Sequence, residues 1–441
     1  MSKTKKKRKI DIVWTKLNDK YNLLEVIKDK GYYIISAKQI REFHEARLAV
    51  KFDHSDARPD LFIENNLSIL PITRGDYKIS YIDAYHKFES TTSDITYFTP
   101  PEHIKSLDVT SINSETKALN MAYNSGIFAD FLEDEDLLPT VSGRMSSESF
   151  SFHANVVDKF KTAGDSVVIV ENSQLEIDGA FEGINSLAVM EAKLDLTDNF
   201  LIRQLYYPFR TWHKKMVGKP VRPVFLVYSN SIFYLYEYRF NDLQHYNSLE
   251  LVKHKRYCLE DTHISTEDVQ KVLRKIRFNK EPNIQFPQAN SFERVINICE
   301  LLYINDVEKN FITEEYSFDA RQSSYYLDAA MYLGLVEKSE IKDGHDFYTL
   351  TKIGKSLFYM SYKQRQLKLI EIILSYKSFN LVYKASCKAK ERLSDNDIVK
   401  LIKKAGVINP QTGTPYSDAT YKRRSGTVRA WIRWIEGLIA D

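Results

Sequence analysis

Two strand-like segments carry the side chains best suited to chemistry. In Gln174-Leu-Glu-Ile-Asp178, apolar Leu175 and Ile177 alternate with polar Gln174, Glu176 and Asp178, and thirteen residues after Asp178 comes Glu191-Ala192-Lys193. Side chains two apart on a strand point to the same side. Glu191 and Lys193 therefore share a face, and so do Gln174, Glu176 and Asp178. If the two strands pair, a cluster of carboxylates and one lysine meets at one edge of a sheet. Carboxylates on rigid strands suit Mg²⁺, a hard cation that takes oxygen ligands and keeps several waters. Such an ion lowers the pKa of a bound water and neutralises charge on a phosphate oxygen. A lysine beside it can orient the attacking water or stabilise the charge that builds on the phosphate. A Glu-x-Lys triplet is common in a chain that is 27% charged. Here Ala188-Val189-Met190 and Ala192 make the strand apolar, and a buried strand that still carries Glu and Lys needs a reason. A solvent-facing ion pair is the weaker reading.

A second charged constellation lies near the C-terminus. Val428, Trp431, Ile432, Ile435 and Leu438 recur at helical spacing and make one apolar face. Arg429 and Arg433 lie off that face, and Lys422-Arg423-Arg424-Ser-Gly-Thr427 precedes it. Arg, Lys, Ser and Thr hold phosphates and read base edges, so Lys422, Arg423, Arg424 and Arg429 are candidate DNA contacts. Arg321, Gln322 and Ser323 open a further predicted helix and are candidate base readers. The competing reading of each is a solvated helix face or a protein-contact module.

The elements that must position these residues divide the chain three ways. With 441 residues the prior is about three domains. The expected division is 1–138, an α+β accessory domain with a basic tail; 139–280, a mixed sheet flanked by helices; and 281–441, winged-helix-like helical modules. Residues 14–30 and 34–48 read as helices, the first ending at Gly31, and 67–71 and 77–82 read as strands. Asp130–Asp136 has five acids in seven residues and reads as a solvated boundary. Residues 166–171, 174–180 and 187–194 read as strands, 195–217 as a helix with Pro208 inside it, and 224–228 with 232–238 as a hairpin. After Pro287 the expected order of helix, helix, hairpin, helix is that of a winged helix.

Composition bounds the rest. Hydrophobic residues make up 43% and aromatics 13%, which describes a globular chain. The net charge is +3, but Lys3–Lys9 holds six basic side chains and residues 361–441 carry a basic surplus of nine. That asymmetry points to a polyanionic partner. The longest uncharged apolar stretch, residues 223–236, is too short to span a bilayer, so no membrane association is expected. Cys258, Cys299 and Cys387 show neither disulfide nor zinc spacing, which suggests a reducing cytoplasm. No GxxxxGK[ST], GxSxG, HExxH or CxxC motif offers competing chemistry.

The string from Gln174 to Glu182, then Val189-Met-Glu-Ala-Lys193, then Arg203-Gln-Leu-Tyr-Tyr-Pro-Phe-Arg210 resembles the PD-(D/E)XK nuclease superfamily, and within it a group of bacterial type II restriction endonucleases. The resemblance covers about residues 140–260, and more loosely residues 51–75. Ile177 stands where the superfamily's name has proline. The resemblance implies an α/β nuclease core in which Asp178 and Glu191 are metal ligands and Lys193 is the catalytic lysine. It also implies an acid from an earlier helix, for which Glu148 is the candidate, and a role for Gln204 on the following helix. The implied activity is Mg²⁺-dependent hydrolysis of double-stranded DNA at a specific sequence, in a prokaryotic cytoplasm, with a cognate DNA methyltransferase as genetic partner. Cutting two strands with one site per chain implies a homodimer. The alternatives are a repair or junction nuclease on the same core, and a non-catalytic winged-helix DNA-binding protein.

Overall fold

A computed structural model describes residues 8–89, 93–107, 112–157, 166–259, 263–304, 307–308, 320–339, 347–389 and 391–439. Most of the Lys3–Lys9 run lies outside them. Its described end is no loose tail: the Arg8 guanidinium binds Asp11 at 3.0 Å and donates to the Arg58 carbonyl at 2.6 Å.

The N-terminal helix breaks in two. Lys9–Tyr21 and Leu23–Lys30 are separated by Asn22, whose left-handed φ of 51° is one that asparagine tolerates, and Gly31 closes the second helix at φ 79°. The helix expected over residues 34–48 is a strand followed by short helices. Tyr32–Ser36 is β1, since Ile34 and Ile35 are β-branched and suit a pleated surface. Ser36 then caps helix Ala37–Arg41 in a reciprocal box with Gln39. With β2 (Ser68–Pro71) and β3 (Asp76–Ser80) it forms an antiparallel sheet in the order β1-β3-β2. Trp14, Phe52 and Phe62 fill the core beneath.

The main sheet is built from β5 (Ile95–Tyr97), β6 (Leu138–Ser146), β9 (Gln174–Glu182), β10 (Leu187–Lys193), β12 (Val221–Ser229), β13 (Ile232–Phe240) and β14 (Leu249–Cys258). Its order is β5-β14-β13-β12-β10-β9-β6. β10 runs antiparallel to β9 and parallel to β12, so the sheet is mixed. Helices Glu115–Asn124 and Arg203–Lys215 both pack on β9 and β10. Two small pairs complete this part: β4 (Tyr85–Lys87) with β11 (Asn199–Leu201), and β7 (Ser149–Ala154) with β8 (Ser166–Glu171). Because β11 occupies residues 199–201, the helix expected from residue 195 starts only at Arg203.

The acidic run Asp130–Asp136 is solvated only in part, with Glu133, Glu135 and Asp136 exposed, and it does not bound a compact unit. Phe131 and Leu132 are buried in helix Ile127–Leu132, and Lys255 and Lys253 pair with Asp130 and Glu133 at 3.0 and 2.8 Å. Buried Asp134 accepts the Asn185 amide at 3.0 Å. A Cβ on Gly183 would collide with that carboxylate, so any larger residue in the turn must displace the buried Asp134 side chain.

The described residues within 8–107, 112–228 and 232–258 form one compact unit, and those within 229–231 and 259–439 a second. The second is mainly helical. Helix Phe292–Ile304, β15 (Val307–Glu308), helix Ala320–Tyr332, β16 (Val336–Lys338) and β17 (Phe347–Leu350) follow in order, with sheet order β15-β17-β16. Helices Thr266–Lys275, Lys352–Ser356, Tyr362–Leu374, Lys377–Ser386, Asp395–Lys404 and Asp418–Gly437 also belong to it, and Phe292, Phe379 and Trp431 lie in its core. No helix among the described residues is long and apolar enough to cross a membrane.

Candidate active site

The β9–β10 ladder ends at Met190↔Gly179. One more step in the same register sets Glu191 opposite Asp178. The Asp178 carboxylate stays attached there, with Oδ2 accepting the Ala192 amide at 2.8 Å. Period-two alternation puts Glu191 and Lys193 on one face, and Lys193 Nζ lies 2.6 Å from Glu191 Oε1. Glu191 is 8% exposed. Gln204, in the first turn of the helix after the sheet, donates from Nε2 to the same Glu191 oxygen at 2.6 Å. Asp178, Glu191, Lys193 and Gln204 thus converge from three elements.

Glu148 does not join them. It sits in the β6–β7 turn at φ 57°, pairs with Lys215 at 3.2 Å and Lys214 at 3.6 Å, and is not among the residues lining the cleft. The acid contributed by an earlier element is Glu115, the first residue of helix Glu115–Asn124, whose Oε1 lies 3.2 Å from Lys193 Nζ. In sequence it shows only as the residue after the helix-capping Ser114. Asp53 also acts electrostatically on Asp178, Glu191 and Lys193.

Burial dominates the electrostatics. It pushes the Asp178 carboxyl above the usual range, although Lys193 and the Ala192 amide work against it. Burial, with Asp178 nearby, pushes Glu191 up to about 8 despite Lys193. Burial also disfavours the Lys193 ammonium, but Glu191, Asp53, Glu115 and Asp178 outweigh it and hold the amine well above its ordinary value. Lys193 is therefore a cation at neutral pH, within a crowd of carboxyls that resist ionising together.

A cleft of 540 Å³ opens above this floor. Arg41, Arg47, Lys51 and Arg74 come from the N-terminal segment, and Arg144 and Arg203 from β6 and the helix after β11. Glu176 Oε2 accepts Arg47 at 3.0 Å and Arg144 at 3.4 Å.

The donor set fits a Mg²⁺ ion. Asp178 Oδ1 and Glu191 Oε2 have no hydrogen-bond donor among the described residues, and the buried Gln204 Oε1 has none either. Mg²⁺ typically takes one or two carboxylates and keeps its waters. No group of three or more His, Cys, Asp or Glu able to hold a metal occurs among the described residues, so an ion here would depend on retained water. Crowded buried carboxyls with raised pKa values are the environment that a cation relieves.

In the second unit the C-terminal candidates separate. Val428, Trp431, Ile432 and Ile435 are buried as the apolar face, and Trp431 Nε1 donates to the Ala289 carbonyl at 2.8 Å. Lys422 and Arg423 are exposed. Arg424 is turned inward, 7% exposed, with Nη2 3.3 Å from Gln285 Oε1. Arg429 is held by Asp395 at 2.5 Å. As contacts for DNA, Arg424 and Arg429 are therefore corrected: the fold itself engages them. Arg321, Gln322 and Ser323 lie on helix Ala320–Tyr332, and their side chains fall outside the described residues.

Three family models match the chain, each described only as a domain of unknown function: DUF6996 over residues 11–79, DUF6997 over 80–258 and DUF7226 over 294–440. No curated protein and no solved structure matches. The chain is thus similar in three consecutive stretches to domains that carry no functional description, and the first two meet within β3, between Ile79 and Ser80.

Proposed function

We propose that the protein is a Mg²⁺-dependent endonuclease of the PD-(D/E)XK type that hydrolyses double-stranded DNA, with Asp178 and Glu191 as metal ligands and Lys193 as the catalytic lysine. One observation carries the reading: a buried Glu-x-Lys on an interior strand faces an aspartate on its antiparallel neighbour, at the floor of a cleft walled by arginine and lysine. The order helix, β6, β9, β10, helix, β12 places an acid from the first helix, Glu115, beside the lysine, which further supports a nuclease core.

Bound Mg²⁺ would supply charge neutralisation at the phosphate and a more acidic water. The chain supplies the rest. Asp178 and Glu191 present oxygen ligands from rigid strands. Gln204 holds the Glu191 carboxylate in one orientation through the 2.6 Å hydrogen bond. Lys193, kept protonated by its neighbours, orients the attacking water and stabilises charge on the phosphate oxygens. The water oxygen bonds to phosphorus as a phosphorus–sugar oxygen bond breaks. The water's proton passes to solvent and the leaving oxygen takes one up.

The second unit is read as a winged-helix-like DNA-binding module. Its support is the order helix, β15, helix, β16, β17, with β17 pairing to both other strands. Two copies on one duplex would cut both strands of a palindromic site, as expected of a type II restriction enzyme with a partner methyltransferase. The test is incubation of purified protein with plasmid DNA in Mg²⁺, Ca²⁺ or EDTA, followed by sequencing of the ends. Cleavage in Mg²⁺ alone at a fixed sequence is the expected result. Intact plasmid in Mg²⁺ would overturn the reading, and ends without a common sequence would favour a repair-type nuclease.

A further inference from the structure

The cations lining the cleft fall into two sets. Arg47, Arg144 and Lys193 are matched by Glu176, Glu191 and Glu115. Arg41, Lys51, Arg74 and Arg203 line the same cleft and form no ion pair or side-chain hydrogen bond among the described residues. Arg203 lies over the Tyr207 ring, 5.8 Å from its centroid, and its Nε is buried without a hydrogen-bond partner. Arg41, Lys51 and Arg74 are exposed, so water alone could satisfy them. Their backbone argues for more than solvation.

All three are carried on pinned chain. Arg74 sits in the β2–β3 turn, where Thr73 Oγ1 accepts the Gly75 and Asp76 amides at 3.1 and 2.9 Å. That turn is fastened to the helix bearing Arg41, because the Gly75 carbonyl accepts the Ala37 amide at 2.6 Å. Lys51 precedes Asp53, whose carbonyl accepts the Leu201 amide at 2.8 Å. The Asn199 side chain exchanges two further hydrogen bonds with Ser55, at 2.7 and 2.8 Å. The loop after Lys51 is thus tied to β11, two residues before Arg203. Lys51 feels the charge of Asp195 but makes no close ion pair. Cations without an ion pair, carried on preorganised backbone and lining one cleft from several elements, suit an anion that is itself extended and repeating.

We infer that residues 37–77 form a backbone clamp, in which Arg41, Lys51 and Arg74, together with Arg203 of the same cleft, hold the DNA phosphates that flank the scissile one. The inference rests on the nuclease reading and gives the N-terminal segment a task within it. Phosphate contacts position without reading sequence, so the clamp would serve every DNA alike. It also places substrate contacts on the stretch similar to DUF6996, apart from the chemistry on the stretch similar to DUF6997.

The test is fluorescence anisotropy of a labelled DNA duplex in Ca²⁺ at several salt concentrations. Parent is compared with the triple variant Arg41→Ala/Lys51→Ala/Arg74→Ala and with Asp178→Ala, with thermal melting as a check on folding. The triple variant is expected to melt like the parent, to bind at least about tenfold more weakly near physiological salt, and to flatten the slope of log K against log salt by about two to three. Arg41→Lys/Arg74→Lys should keep most of the slope. Parent-like affinity and slope in the triple variant would overturn the clamp, whatever Asp178→Ala does to cleavage. Weaker binding by the triple variant, in a parent that never cleaves, would support the clamp and overturn the nuclease reading.

Discussion

The cleft of the first unit and helix Asp418–Gly437 of the second are both rich in charge, and the fold treats them oppositely. On β10, Glu191 and Lys193 are two apart and stay together on one face, 2.6 Å from each other. On the helix, Lys422, Arg423 and Arg424 are consecutive, and about 100° of rotation per residue drives them apart. Two reach solvent and the third enters the core. A charged run on a helix is thus divided between surface and interior, whereas a charged i, i+2 pair on a strand is concentrated. Concentration within the interior raises the pKa values of Asp178 and Glu191. Division leaves Lys422 and Arg423 in solvent and commits Arg424 to packing.

The comparison is broken most directly at the floor of the cleft. Asp178→Ala, Glu191→Ala and Lys193→Ala are each expected to reduce the cleavage rate by about 10³-fold or more, measured by plasmid nicking. DNA binding in Ca²⁺ should survive in all three. Near-normal cleavage by the Asp178 or Glu191 variant would remove the site from consideration.

One step outward, Gln204→Leu keeps the volume but frees Glu191 Oε1 of its amide. Loss of such a supporting contact to a metal ligand typically costs 10–100-fold, so an intermediate loss of activity is expected, with raised Mg²⁺ demand. A loss as deep as that of Glu191→Ala would instead place Gln204 among the reacting groups.

The raised Glu191 pKa makes a pH prediction. Burial holds the Glu191 pKa up at about 8, so near pH 7 the carboxyl gives up its proton less readily than an ordinary glutamate. A cation needs it ionised, so binding must release a proton. Mg²⁺ affinity should therefore weaken as pH falls below about 8, by up to about tenfold per unit, and level off above it. Calorimetry in buffers of different ionisation enthalpy would count the proton, and pH-independent affinity between 6 and 8 would contradict the assignment.

The smallest effects belong to the C-terminal helix. Lys422→Ala and Arg423→Ala should each flatten the salt slope of DNA binding by about one if they touch phosphates, with no change in melting. Arg424→Ala should leave the slope alone and lower stability by about 1–3 kcal/mol through lost packing. Arg424→Met, which fills the space without a buried charge, should recover most of that. A slope change in Arg424→Ala would erase the contrast between the regions.

Some of this is legible in the sequence alone. The strands bearing Asp178, Glu191 and Lys193 announce themselves because a period of two and an apolar setting are local properties of the chain. The apolar stripe from Val428 to Ile435 is local in the same way, and so is the stop at Gly31. Where local cues compete, tertiary pairing chose. Residues 34–36 could begin a helix, but β3 offered ladder partners and made them a strand. Residues 199–201 likewise joined β4 and delayed the helix to Arg203. The acidic run Asp130–Asp136 looked like a solvated boundary until β14 brought Lys253 and Lys255 to it. The rest of the site lies beyond any local pattern. Glu115 reaches Lys193 across 78 residues, and Arg47 meets Glu176 across 129. Glu148, far nearer in sequence to the strands, is drawn off by two lysines at the end of a helix. Periodicity sets which way a side chain faces relative to its neighbours in the chain. Which distant side chain it meets depends on loop closure and on the packing of whole elements, and that information is spread over the entire sequence.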